Sequence, residues 1–206
     1  MITLPAVVDG LLARRKTDSG RLNVLAKYCI EAFDRAGLPG VRGGKADEVG
    51  IVGLGRQKDW DLAYLHAGKP RLLVSLKSIL KNLGGAVPNR LDDLMGEVAN
   101  VQQLSPELVI GYVVVMDKAE DSPRRGDNGG TWIDHFKANL DRIAIRKAPL
   151  WNQGLLEGAW LIQIDTRRPR TDRVPDLLQT VAAGESFFRG LLDELYRREP
   201  ALRAGA

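Results

Sequence analysis

The feature that most constrains this chain is the run Leu108-Val-Ile-Gly-Tyr-Val-Val-Val-Met116, an uncharged stretch rich in β-branched side chains. A strand with one wet face alternates apolar and polar residues, so a run without alternation must be covered on both faces. That places it near the centre of a sheet flanked by helices. The rest of the sequence supplies the helices. From Gly20 to Gly37, Leu22, Leu25, Ala26, Cys29, Ala32, Phe33 and Ala36 recur at helical spacing, and Gly37 with Pro39 gives a stop signal. A short strand is expected from Glu48 to Leu54. Two firmer ones follow, Asp59 to His66 and Arg71 to Ser78, joined by the turn Ala67-Gly68-Lys69-Pro70 as an antiparallel hairpin. The stretch ILKNLGGAVPN (79–89) reads as a loop, with Asn89 capping a helix from Arg90 to Leu104 that Ser105-Pro106 ends. Beyond the central run, a helix is expected at Thr131 to Ile145, a strand at Gly158 to Asp165 and an amphipathic helix at Gly184 to Arg198. This order is that of an α/β or α+β domain, and it fits many unrelated folds.

With 206 residues, 44% hydrophobic and 27% charged, the chain fits one ordered domain and not a disordered one. No apolar run approaches the roughly 20 residues needed to cross a bilayer, and the N-terminus lacks the charge and apolar pattern of a secretory signal, so a cytoplasmic protein is expected. Cys29 stands alone, which excludes an intramolecular disulfide and a cysteine-based zinc cluster, and His66 and His135 are too few and too separated to replace one. Gly53-Leu54-Gly55 leads into a strand and lacks the helix of a dinucleotide fingerprint. Gly43-Gly44-Lys45-Ala46 departs from a P-loop at Pro39 and Ala46. The net charge of +4 suits a polyanionic partner. Its concentration in SPRRGDNGG (122–130) and TRRPRTDR (166–173) makes Arg124, Arg125, Arg167, Arg168 and Arg170 the candidate phosphate contacts.

The chemistry is concentrated in the hairpin. Strand alternation puts Asp59 and Asp61 on one face with Ala63, and Trp60, Leu62 and Tyr64 on the other. In the next strand Ser75 and Lys77 oppose Leu72, Val74 and Leu76. With the polar faces aligned, Asp61, Ser75 and Lys77 converge. Downstream, Asp93 and Glu97 lie four residues apart on one helical face, and together with Asp61 they form a set of hard oxygen donors suited to magnesium.

WDLAYLHAGKPRLLVSLKS resembles the core of the PD-(D/E)xK nuclease superfamily, in which an acidic residue on one strand precedes an acid-x-Lys triplet on the next. KSILKNLGGAVPNRLDDLMGEVANVQ is similar to the region after the catalytic lysine in several type II restriction endonucleases. The resemblance covers about residues 20–116 and leaves 117–206 as an extension. It implies a restriction-endonuclease-like αβββαβ core, a mixed sheet flanked by helices, with a C-terminal helix-strand-helix addition. It also implies sequence-specific hydrolysis of double-stranded DNA with magnesium, or manganese in its place.

By that resemblance Asp61, Ser75, Lys77 and Glu97 are the catalytic candidates, and Asp61, Glu97, Asp93 and Leu76 the metal-binding ones. Lys77 would orient or deprotonate the attacking water. The sequence departs from the family at Ser75, where an acid is usual, and at Lys58, where proline usually precedes the first acid. Family members with Ser-x-Lys recover the acid from a helix. Glu97 is the first choice for that role, Asp93 the second and Glu31, on the first helix, the third, while Asp59 remains a further candidate. The alternatives are a structure-directed repair or recombination nuclease and a nuclease-like domain that only binds DNA. The final helix carries an apolar stripe, Phe187, Phe188, Leu191, Leu192, Leu195 and Tyr196. Core packing is its default use and a homodimer interface the sharper one, since a two-fold protein most simply cuts both strands of a symmetric site.

Overall fold

The computed structural model describes residues 2–15, 18, 20–126, 129–147 and 153–203. Asp127 and Asn128 of the first basic loop lie outside the described residues. In chain order the elements are α1 (Leu4–Leu12), α2 (Asn23–Arg35), β1 (Arg42–Gly43), β2 (Val49–Val52), β3 (Gln57–Trp60), β4 (Leu62–His66), β5 (Lys69–Ile79), α3 (Leu83–Gln102), β6 (Val109–Asp117), α4 (Trp132–Ile143), β7 (Gly158–Ile164) and α5 (Leu177–Arg198). No helix among the described residues is long and apolar enough to cross a membrane.

The main sheet has the order β1-β4-β5-β6-β7. Its β1-β4 and β4-β5 pairs are antiparallel, and its β5-β6 and β6-β7 pairs are parallel. The sheet is therefore mixed, as expected. Every residue of β6 is buried, and the two directions of its side chains feed two separate cores. Val109, Val113 and Val115 pack with α1, α2 and α5, whereas Ile110, Tyr112, Val114 and Met116 pack with α3 and α4. Helices thus cover both faces, which is why the sequence there needs no alternation. The two crossover helices, α3 and α4, share one face, and Ser75 and Lys77 point toward it along with Leu73 and Ile79.

Besides the short β1, where no strand was expected, four elements differ from the sequence-based expectation. No element was expected at α1, yet Leu4, Val7, Val8 and Leu11 form a buried stripe, with the Thr3 hydroxyl accepting from the Ala6 N–H at the helix start. The expected loop at 79–89 is largely helix, because α3 starts at Leu83 and carries Pro88 inside it. Leu83 and Val87 are buried on one side of that first stretch, and tertiary packing outweighs the poor propensities of Gly84, Gly85 and Pro88. The final helix starts at Leu177, a full two turns before Gly184. Its apolar stripe is consumed within the chain: Phe187, Phe188, Leu191, Leu192 and Leu195 are all buried in one core. The stripe therefore lends no support to a dimer. Close approach of α5 to the sheet depends on Gly111, where an added Cβ would stand 2.7 Å from Leu191 and 2.9 Å from Phe187.

The fourth difference bears on chemistry. The expected strand from Asp59 to His66 is broken at Asp61. Its first half, β3, pairs with β2 in a separate two-stranded sheet, and its second half, β4, belongs to the main sheet. Alternation does not survive the break, which corrects the expected facing. Trp60 and Ala63 share the core under α3, while Leu62 lies in the opposite core and Tyr64 packs against it. The outer hairpin is tied to α3 by Asn100, whose side chain accepts from the Gly55 N–H at 2.7 Å and donates to the Arg56 carbonyl at 2.9 Å. The hairpin between β4 and β5 turns at Ala67-Gly68, both with positive φ, and pairs His66 with Lys69.

Candidate active site at the strand break

β5 presents Ser75 and Lys77 toward α3 because side chains two apart on a strand share a face. The break in the neighbouring segment delivers Asp61 to them. Asp61 Oδ2 accepts a hydrogen bond from the Leu76 backbone N–H at 2.8 Å and from the Ser75 hydroxyl at 3.4 Å, and lies 3.8 Å from Lys77 Nζ. The structure thus brings together the three residues at the centre of the sequence argument. Leu76 contributes only its backbone, since its side chain is buried in the opposite core. β1 closes the arrangement from behind: the Gly44 N–H donates to the Asp61 carbonyl at 3.1 Å, and a Cβ on Gly43 would stand 2.2 Å from that oxygen. Only glycine fits there.

Glu97 reaches the same region from α3, but it arrives paired. Its Oε2 is in contact with Lys58 Nζ, and the two side chains are 14% and 17% exposed, so the pair is largely withdrawn from water. Lys58 also lies over the Trp60 ring, 5.1 Å from its centroid. Burial pulls the Lys58 ammonium below its usual range, with the contact to Glu97 opposing this and the charge of Lys77 adding to it. Asp93 does not join Glu97. It is exposed and bound by Arg90 at 2.8 Å. Among the described residues no three His, Cys, Asp or Glu side chains gather as a metal-binding group, so the expected convergence of Asp61, Glu97 and Asp93 is not formed. Glu31 is in the layer on the other side of the sheet, where it accepts from the Ile2 N–H at 2.9 Å. Asp59 is exposed on β3, opposite Gly50.

Tyr112 forms the floor beside these groups. It is paired in register with Ser75, and its hydroxyl is buried without a hydrogen-bond partner. Burial raises the phenol above its ordinary range. Arg90 opposes that rise, and the carboxylates of Glu97, Asp93 and Asp61 add to it. Neither Tyr112 nor Lys58 was expected from sequence to be a site residue. Tyr112 is the only aromatic residue in the central apolar run, and Lys58 stands where the nuclease family that the sequence resembles has proline, so each carried a signal.

A cleft of about 380 Å³, which takes in Ser78 and Ile79 just beyond Lys77 on β5, opens at the carboxyl ends of β5, β6 and β7, the edge where open α/β sheets bind ligands. Arg14, Arg21, Lys81 and Arg90 line it together with Asp117 and Glu120, and Arg14 and Arg90 are paired with Asp18 and Asp93. The arginines expected to meet phosphate are in part engaged elsewhere. Arg167 is bound to Asp165 at 2.9 Å, Arg168 to Asp172 at 3.0 Å and Arg170 to Asp9 at 2.8 Å. Arg124 lies over the Trp132 ring, 5.2 Å from its centroid, while Arg125 is exposed.

No family model matches the chain, and no curated protein matches it. Two observations bear on a divalent cation here. Asp61 keeps Oδ1 without a hydrogen-bond partner among the described residues, and Glu97 adds a second hard oxygen donor that magnesium favours. The donor chemistry fits the ion, with two carboxylates in place of three.

Proposed function

We propose that this chain is a magnesium-dependent DNA endonuclease with a PD-(D/E)xK-type site in its Ser-x-Lys variant, working as a type II restriction enzyme. The observation that carries the reading is the junction of Asp61, Ser75 and Lys77, with carboxylate and ammonium 3.8 Å apart at the break between two sheets. The mixed sheet between helical layers, with α2 before the hairpin and α3 leading from β5 to β6, is consistent with a restriction-endonuclease-like core. In this reading Asp61 and Glu97 would hold the cation, which would supply Lewis-acid chemistry beside the phosphate. Lys77 orients the attacking water and places a fixed positive charge beside the phosphate as its charge develops. The Ser75 hydroxyl and Leu76 amide fix the Asp61 carboxylate, so that its free oxygen is preset. The substrate is double-stranded DNA, its phosphates met by the basic cleft and Arg125, and cutting of both strands calls for a two-fold pair of subunits.

A second reading, a nuclease-like domain that binds DNA without cutting it, is favoured by one observation: Glu97 is already neutralised by Lys58. Incubating the protein with supercoiled plasmid and magnesium separates the readings. Discrete linear fragments are expected. Preference for branched DNA would move the assignment to repair or recombination, and intact plasmid with salt-sensitive binding would leave the binding domain.

A further inference from the structure

Lys58 and Glu97 raise a question that the nuclease reading leaves open. A carboxylate this withdrawn from water needs a positive partner, because an unpaired buried charge is costly. The partner is a lysine from β3, lying against Trp60, and not solvent. Lys58 stands in the same patch as Lys77 and Asp61, close enough for their charges to act on one another. A divalent cation held by Asp61 and Glu97 would therefore compete with the Lys58 ammonium for the same carboxylate.

Resting on the proposed metal site, we infer that Lys58 is an internal counter-ion that occupies Glu97 in the metal-free protein and lowers the affinity of the site for its cation. Lys58 does not touch the reacting atoms in this scheme. It acts through Glu97, as a positioning residue that delays cation capture. A purely structural ion pair between β3 and α3 would behave differently: removing Lys58 would weaken the fold and leave cation binding no stronger. The counter-ion role predicts the opposite for binding, because a stranded Glu97 gains from any cation that replaces the lysine.

The test is a manganese titration of the DNA-free protein, read by the loss of the free-ion electron paramagnetic resonance signal and by calorimetry. The proteins are wild type, K58M, K58Q and K58M/E97Q, each checked by circular dichroism. K58M keeps the apolar stem on Trp60, and K58Q serves if the methionine variant does not fold. Manganese affinity is expected to rise at least about tenfold in the charge-removed variant, with the gain gone in K58M/E97Q. Affinity equal to or below that of wild type, or a gain that persists without Glu97, would overturn the inference. Plasmid cleavage by wild type with unchanged manganese affinity in K58M would reject the counter-ion role and leave the nuclease reading intact. A Glu97-dependent gain in a protein that never cuts DNA would reject the nuclease reading alone.

Discussion

Lys77 is the residue whose removal speaks most directly to the proposed chemistry. Its side chain is 19% exposed and its ammonium lies 3.8 Å from Asp61, so Lys77→Ala should leave the fold standing while removing the positive charge that the proposed mechanism places beside the phosphate. Cleavage of plasmid DNA is expected to fall by about 10²–10⁴-fold, with salt-dependent DNA binding retained in a filter or anisotropy assay. Unchanged cutting would exclude the mechanism. Gly43 offers a complementary test from outside the chemistry. Its missing Cβ leaves room for the Asp61 carbonyl, so Gly43→Ala should shift the Asp61 backbone and destabilise the protein by about 1–3 kcal/mol in urea melts. The sequence made Ser75 and Lys77 legible as a pair because strand spacing is local, whereas Asp61 reaches them from a break in the strand that alternation did not show. It did not show that Lys58 pairs with Glu97 or that Gly43 lies against the Asp61 carbonyl, since each contact depends on what another segment brings. It also pointed to Asp93 alongside Glu97: four-residue spacing shows that two carboxylates share a helical face, but not that Arg90 claims one of them.

At the scale of elements, what was legible is the part fixed by periodicity. β6, β7, α4 and the hairpin of β4 with β5 lie close to where the sequence puts them. The beginning of α3 does not, since Gly84, Gly85 and Pro88 are breakers by propensity and only the burial of Leu83 and Val87 outweighs them. The start of α4 is governed by a reciprocal cap. Thr131 accepts from the Asp134 N–H, and Asp134 accepts from the Thr131 N–H at 3.0 Å. Those hydrogen bonds hold the Asp134 carboxyl below its usual range. A depressed carboxyl pKa stabilises the fold above the unfolded value and loses that stabilisation as pH falls through the folded one. Thr131→Ala should therefore cost about 0.5–2 kcal/mol at neutral pH. Its deficit against wild type should shrink on acidification below about pH 4, as followed by thermal melts across pH.

Across the whole molecule, the approach to β7 and the end of α5 are held by buried charge. Glu157 has no side-chain exposure and accepts from Arg146 at 2.7 Å and from Arg198 at 2.8 Å, while Arg146 and Arg198 also donate to the Leu108 carbonyl. This network fastens α5 and the approach to β7 onto the start of β6. Glu157→Leu removes the carboxylate between two guanidinium groups, and the urea midpoint should drop by the equivalent of about 3–5 kcal/mol. A change under 1 kcal/mol, within the ordinary surface range, would show that the network is dispensable. None of this was foreseen, because apart from Arg146 and Glu157, which are 11 residues apart, the partners lie about forty to ninety residues apart in the chain.

The segment from Gln57 to His66 belongs to two sheets, with Asp61 at the changeover and its far hairpin anchored to α3 through Asn100. The reach of that carboxylate toward Lys77 is consequently fixed by how the small sheet is seated on α3, as a door latch depends on how the door hangs. Loosening a distant contact such as Asn100 would then register at Asp61, and alterations remote from the proposed chemistry would alter its rate without touching a single reacting group.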